Sequence, residues 1–135
     1  MAALGDAAWD VGSMFADYLG VWLSSIPITG EHPPAHYLSL ARFPLTRLRP
    51  AIRAFWASYR RARGLTGQAA ASFLLSATRY SAARLIQRVH ERTREASDLG
   101  SDTMCQLQLS WNVLREPELA CKHLLGLDLF PQSEA

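Results

Sequence analysis

The chain has 135 residues, of which 49% are apolar and 19% charged, and its formal net charge is +2. That size suits one modest domain with enough apolar residues for a core, and the charged share is lower than usual. Asp6 and Asp10 argue against a signal peptide, Asp17 inside the apolar stretch Val11 to Ile28 argues against a membrane span, and Cys105 and Cys121 match no metal spacing, so a reduced, cytoplasmic chain is expected.

The pattern predicts an all-α fold of about five helices. Asp6 is placed to cap the first, with Asp10 adding favourable charge in its first turn. Val11, Phe15, Tyr18, Trp22 and Ile26 then fall at helical spacing, with Met14 and Leu19 widening the stripe. This helix occupies residues 1–26. Residues 27–47 hold Gly30, Pro33, Pro34 and Pro44, and read as an irregular connection with one helical turn around Tyr37 to Ala41.

Residues 48–130 read as a helical bundle. Pro50 suits the first position of the second helix, which stops at Gly64 and buries Ile52, Phe55, Trp56 and Tyr59. Thr66 caps a third helix reaching about Ala96, with Phe73, Leu74, Ala77, Tyr80, Ala83, Leu85, Ile86 and Val89 inside. Ser101 or Asp102 caps a fourth, whose inner set is Met104, Leu107, Leu109, Trp111 and Leu114. Pro117 opens a short fifth, and residues 131–135 form a frayed tail.

Charge is unevenly spread. From His32 to His90 there are ten arginines and no Asp, Glu or Lys, while all twelve acids lie in the flanks. Such a block presents a positive field to something anionic. Arg49, Arg53, Arg60 and Arg61 lie largely outside the buried face of the second helix and are the candidate substrate or anion-binding residues. Nucleic acid is the weaker partner, because Trp56 and Tyr59 occupy the core stripe and the net charge is small.

No complete catalytic set is legible. The sequence has no Gly-rich phosphate loop and no His-Gly-Asp or His-Arg-Asp run. His32 and His36 have a zinc-compatible spacing, but Pro33 and Pro34 between them disfavour the helix it needs. Ser24, Ser25 and Ser72 lack a neighbouring His with an orienting acid. No catalytic residue and no metal ligand is therefore assigned.

The segment Gly5-Asp6-Ala7-Ala8-Trp9-Asp10-Val11-Gly12 is one of two things. It is an ordinary capped helix start, or it resembles the Gly-Asp-Pro-x-x-Asp-Leu-Ala motif of aminoglycoside phosphotransferase-like and choline-kinase-like enzymes. Gly5, Asp6 and Asp10 match; Ala7 replaces the motif's proline and Gly12 its alanine. The stretches Arg84 to Gln87, Leu107 to Leu114 and Leu124 to Gly126 are similar to the branch associated with lanthipeptide and thioamitide biosynthesis.

The resemblance implies the helical C-terminal subdomain of a kinase-like fold that, when complete, phosphorylates Ser or Thr of a precursor peptide. In that family the second acid braces the catalytic loop, which would make Asp10 the supporting residue and Asp6 the helix cap. The metal-bearing acid, catalytic loop and nucleotide lobe are expected to be missing, so the chain alone is expected to be inactive. ATP and magnesium would serve the complete parent and not this chain alone. The implied partners are the N-terminal kinase lobe or a partner subunit, an acidic peptide substrate and a lyase-type protein. The competing reading is a non-enzymatic, arginine-rich helical module that binds an acidic protein, with an apolar face available to a partner as a third possibility.

Overall fold

A computed structural model describes residues 6–25, 44–94 and 101–131. These form α1 (Ala7–Ser24), α2 (Leu45–Arg63), α3 (Gly67–Thr93), α4 (Ser101–Arg115) and α5 (Pro117–Leu119), which runs on into a π-helical turn, Ala120–Leu124. The fold is all-α, and no strand occurs among the described residues. None of the described helices is long and apolar enough to cross a membrane. Gly5, Ile26, residues 27–43 with His32 and His36, Ala96 and residues 132–135 lie outside the description, as do the capping side chains considered at Ser101 and Asp102.

The long helix α3 is the spine, with α1 and α4 both packed along it. From α1, Val11, Phe15, Leu19, Trp22 and Leu23 enter the core and meet Leu74, Ala77 and Leu85 of α3. Met14, expected to widen the apolar stripe, is instead exposed. The approach of α1 to α3 is closest at Gly12. A Cβ there would sit 2.6 Å from the Ala77 carbonyl oxygen and 2.7 Å from the Tyr80 Cβ, so no side chain fits between the two backbones.

Helix α2 begins at Leu45, earlier than the Pro50 start and the 27–47 connection expected from sequence. Its extra turn packs the half-buried Leu45 and Leu48 against the core, which favours continuing the helix. Pro50 offers no N–H to the Thr46 carbonyl, but both residues are exposed, so that oxygen faces solvent rather than a dry interior. Ile52 and Trp56 are buried, while Phe55 and Tyr59 are half-buried against them. Gly64 ends the helix at φ 65, a left-handed value that favours glycine. Thr66 precedes α3 in extended geometry, but its side chain makes no capping hydrogen bond.

Helix α4 departs most from its expected orientation. Its buried residues are Thr103, Gln106, Ser110 and Val113, whereas Met104, Trp111 and Leu114 are exposed. Hydroxyls explain how polar residues can face inward. Ser110 Oγ donates to the Gln106 carbonyl at 2.8 Å, as Thr78 does to Leu74 in α3. Each of these buried hydroxyls is satisfied within its own helix, so its burial costs little. On α3, Ile86 is likewise exposed and Ala82, rather than Ala83, is buried.

A clear expectation follows for α4. Val113→Ala removes two fully buried methyl groups and should lower stability by about 2 kcal/mol. Leu114→Ala, one residue on, should change it by about 0.5 kcal/mol or less. Urea unfolding of both variants checks this, and the reverse order would restore the orientation read from the sequence.

At the end of the fold, Cys121 is fully buried and donates to the Leu127 carbonyl at 3.4 Å. Desolvation pushes its thiol up to about 12, the Thr78 hydroxyl opposing and the Asp128 charge adding to the effect. It is a packing residue with negligible thiolate at neutral pH.

Candidate functional site

The first turn of α1 is fastened at one point and open at another. Asp6 stands at the N-cap in extended geometry, φ −61 and ψ 123, and its Oδ1 accepts from the Ala8 amide at 2.9 Å. Its other oxygen accepts from the Tyr80 hydroxyl of α3, also at 2.9 Å. The Trp9 ring meets Tyr80 edge to face, with centroids 5.5 Å apart. One carboxylate therefore caps α1 and ties it to α3. The hydrogen bond to Asp6, together with that group's negative charge, raises the Tyr80 hydroxyl above its ordinary pKa.

Asp10 lies one turn further along α1 and is exposed. Ala8, Val11, Gly12 and Phe15 define the buried face, and helical geometry turns position 10 to the opposite side. Its carboxylate has no hydrogen bond or ion pair among the described residues. Gly5, the third matching residue of the motif, lies outside the description.

The four arginines singled out in α2 fall into two pairs. Arg49 Nε donates to the Leu124 carbonyl at 3.3 Å, and its terminal nitrogen to the His123 carbonyl. Gly126 leaves room for its aliphatic stem, because a Cβ there would come within 3.0 Å of the Arg49 Cδ. Arg60 Nε donates to the Leu65 carbonyl at 3.2 Å beside the Gly64 turn. Both side chains thus close elements of this fold. Arg53 and Arg61 are exposed, as are Arg47 and Arg63, the last lying over the Tyr59 ring at 5.8 Å.

The sequence block also included Arg88, whose guanidinium pairs with Asp17 of α1 and donates to the Ala16 carbonyl at 3.2 Å. Asp17 and Arg88, with Glu91 and Gln106, line an open groove of about 680 Å³. Ser25 lies there too, its hydroxyl donating to the Trp22 carbonyl at 2.7 Å. Among the described residues no histidine lines the groove, so none of them pairs there with Ser24 or Ser25 as a serine-type base. Among the described residues no group of three His, Cys, Asp or Glu side chains is placed to hold a metal ion.

Tyr80, Gly12 and the Asp17–Arg88 pair were not assigned these roles from sequence. Tyr80 is 74 residues from Asp6 and Arg88 is 71 from Asp17, so no local spacing signals either contact. Gly12 stands where the resembling motif carries alanine, and that departure is the one available signal. Comparison of the chain with protein-family models, curated proteins and solved structures finds no match.

Proposed function

We propose that this chain is the C-terminal, helical, peptide-facing portion of an aminoglycoside-phosphotransferase-like kinase. The complete enzyme would phosphorylate Ser or Thr of a precursor peptide in the cytoplasm, and a lyase-type partner would then eliminate the phosphate. The observation that carries the reading is the different use of the two motif acids. Both are exposed, but Asp6 is engaged by the Ala8 amide and the Tyr80 hydroxyl, whereas the Asp10 carboxylate has no hydrogen-bond or ion-pair partner among the described residues. An acid at that position can accept hydrogen bonds from a loop lying over the start of α1.

The sequence offers no phosphate loop, and the described residues offer no metal-holding cluster. ATP and magnesium are therefore assigned to a nucleotide lobe and not to these helices. The helices contribute the peptide side of the active site and a brace beneath the catalytic loop. The alternative, a non-enzymatic module, draws support from the exposed Met104, Trp111 and Leu114 of α4, whose apolar surface suits a protein contact.

Incubation with ATP, magnesium and a Ser/Thr-containing peptide separates the two. The pure chain should transfer no phosphate above buffer. Co-expression with the nucleotide lobe, or extension of its reading frame upstream, should yield transfer to Ser or Thr. Turnover by the pure chain, or none in the extended protein, would contradict the proposal.

A further inference from the structure

Helix α2 carries six arginines and no acid between Leu45 and Arg63. Part of this has a local reason, since Arg60, Arg61 and Arg63 lie in the last turn, where cations complement the helix dipole. Arg49 is engaged with the carbonyls that follow α5. Arg47 and Arg53 have no such reason. Arg47 stands in the first turn, where the dipole disfavours positive charge, and Arg53 and Arg49 are like charges four residues apart.

The exposed face of α2 is uniform in character. Besides Arg47, Arg53, Arg61 and Arg63, every exposed position on it is Ala, Ser, Thr or Pro. Arg53, Ala57 and Arg61 form one row at four-residue spacing, and about 12 Å of helix rise separates the two arginines. At the end of that row Ala57, Arg60, Arg61, Leu65 and Thr66 line a shallow cavity of about 440 Å³. Arg47, Arg53 and Arg61 have no hydrogen-bond or ion-pair partner among the described residues.

From this we infer that the outer face of α2 is a docking surface for an acidic polypeptide segment. Arg47, Arg53 and Arg61 receive its carboxylates, and Arg49 and Arg60 serve the fold. Charge complementarity selects an anion, and the aromatics select peptide over nucleic acid. Trp56 is 6% exposed and clusters with Tyr59 and Phe73, its ring centroid 6.3 and 5.9 Å from theirs, while those two rings lie 5.5 Å from each other. Phe55 meets Phe15 edge to face at 6.0 Å. These rings belong to the core, and no aromatic is exposed on this face for bases to stack upon. The surface rests on charge and exposure and does not depend on the phosphotransferase reading.

The test is fluorescence anisotropy with the full chain and a labelled peptide of alternating Glu and Gly, beside its Gln counterpart. The acidic peptide should bind and the Gln peptide should not. Raising salt from about 50 to about 500 mM should weaken binding steeply, as screening shortens the reach of exposed charge. The triple variant Arg47→Gln, Arg53→Gln, Arg61→Gln should lose about tenfold in affinity, the combined effect of three exposed ion pairs. Removing as many cations elsewhere, through Arg79→Gln, Arg115→Gln and Lys122→Gln, should change affinity much less. Failure to bind the acidic peptide, equal loss in the two variants, or tighter binding of single-stranded or duplex DNA of the same charge overturns the inference. The assay involves no catalysis, so it fails or succeeds separately from the kinase reading.

Discussion

Gly12→Ala should destabilise the fold, whereas Gly20→Ala in the same helix should not. The two glycines share a helix and gain the same backbone propensity on substitution, about 1 kcal/mol in favour of alanine. Their surroundings differ. A Cβ at Gly12 would meet the Ala77 carbonyl oxygen at 2.6 Å and the Ser81 amide nitrogen at 3.0 Å. Those are backbone atoms of α3 and cannot rotate aside. A Cβ at Gly20 would meet only the Arg88 terminal nitrogen, at 3.4 Å and on a flexible side chain.

Accommodating a methyl group at position 12 requires α1 and α3 to separate, loosening the contacts of Val11, Phe15 and Leu19 with Leu74 and Ala77. Overpacking costs about 1–3 kcal/mol, and a rigid backbone obstacle puts this substitution in the upper part of that range, at about 2–3 kcal/mol. After the propensity gain, a net loss of roughly 1–2 kcal/mol remains, large against a total stability of roughly 5–15 kcal/mol. At this size the midpoint should fall by roughly 5 °C or more. Gly12→Val should be worse still. Thermal melts check the set, and a Gly12→Ala variant as stable as Gly20→Ala would contradict the close crossing.

How far the sequence carried the fold depends on which residues did the packing. On α1 and α2 large apolar side chains recur at helical spacing, so Phe15, Leu19, Ile52 and Trp56 were legible as core. The Asp6 cap and the Gly64 stop are local signals and were legible for the same reason. On α4 the rule inverts, because small hydroxyl-bearing residues pack against neighbours while Met104 and Trp111 remain outside. Hydropathy ranks Ser110 below Trp111, but an intrahelical hydrogen bond removes most of the penalty for burying Ser110. The helical extension of α2 through Pro50 was hidden for a related reason. Proline discourages a helix most where its missing N–H strands a carbonyl away from water.

The candidate site was legible in its residues and not in its contacts. Asp6 and Asp10 stood out together because they match the two acids of the resembling motif at a helix start. Only the fold distinguishes an acid held by Ala8 and Tyr80 from one without a partner among the described residues. Among the arginines, sequence supplied the block, and tertiary structure divided Arg49 and Arg60 from Arg53 and Arg61.

The same distinction gives the largest expected effect on function. A first-turn acid with a purely local role contributes about 0.3–1 kcal/mol through the helix dipole. Asp10→Asn would then leave catalysis near normal in an active, lobe-containing enzyme. If Asp10 instead accepts hydrogen bonds from the catalytic loop, the change removes a charge-assisted anchor beneath the groups that position the acceptor hydroxyl. Displacements of about 1 Å can cost on the order of a hundredfold in rate. Asp6→Asn should behave differently, because Asn still caps a helix and only the charged bond to Tyr80 is weakened. Its effect should fall mainly on stability.

The most direct test of the phosphotransferase proposal is single-turnover phosphorylation by the lobe-containing enzyme, measured for both variants beside their thermal melts. Asp10→Asn should lose about a hundredfold in turnover with little change in melting, and Asp6→Asn should show the opposite balance. Nearly full turnover with Asp10→Asn would make this segment an ordinary capped helix start and contradict the role assigned to Asp10.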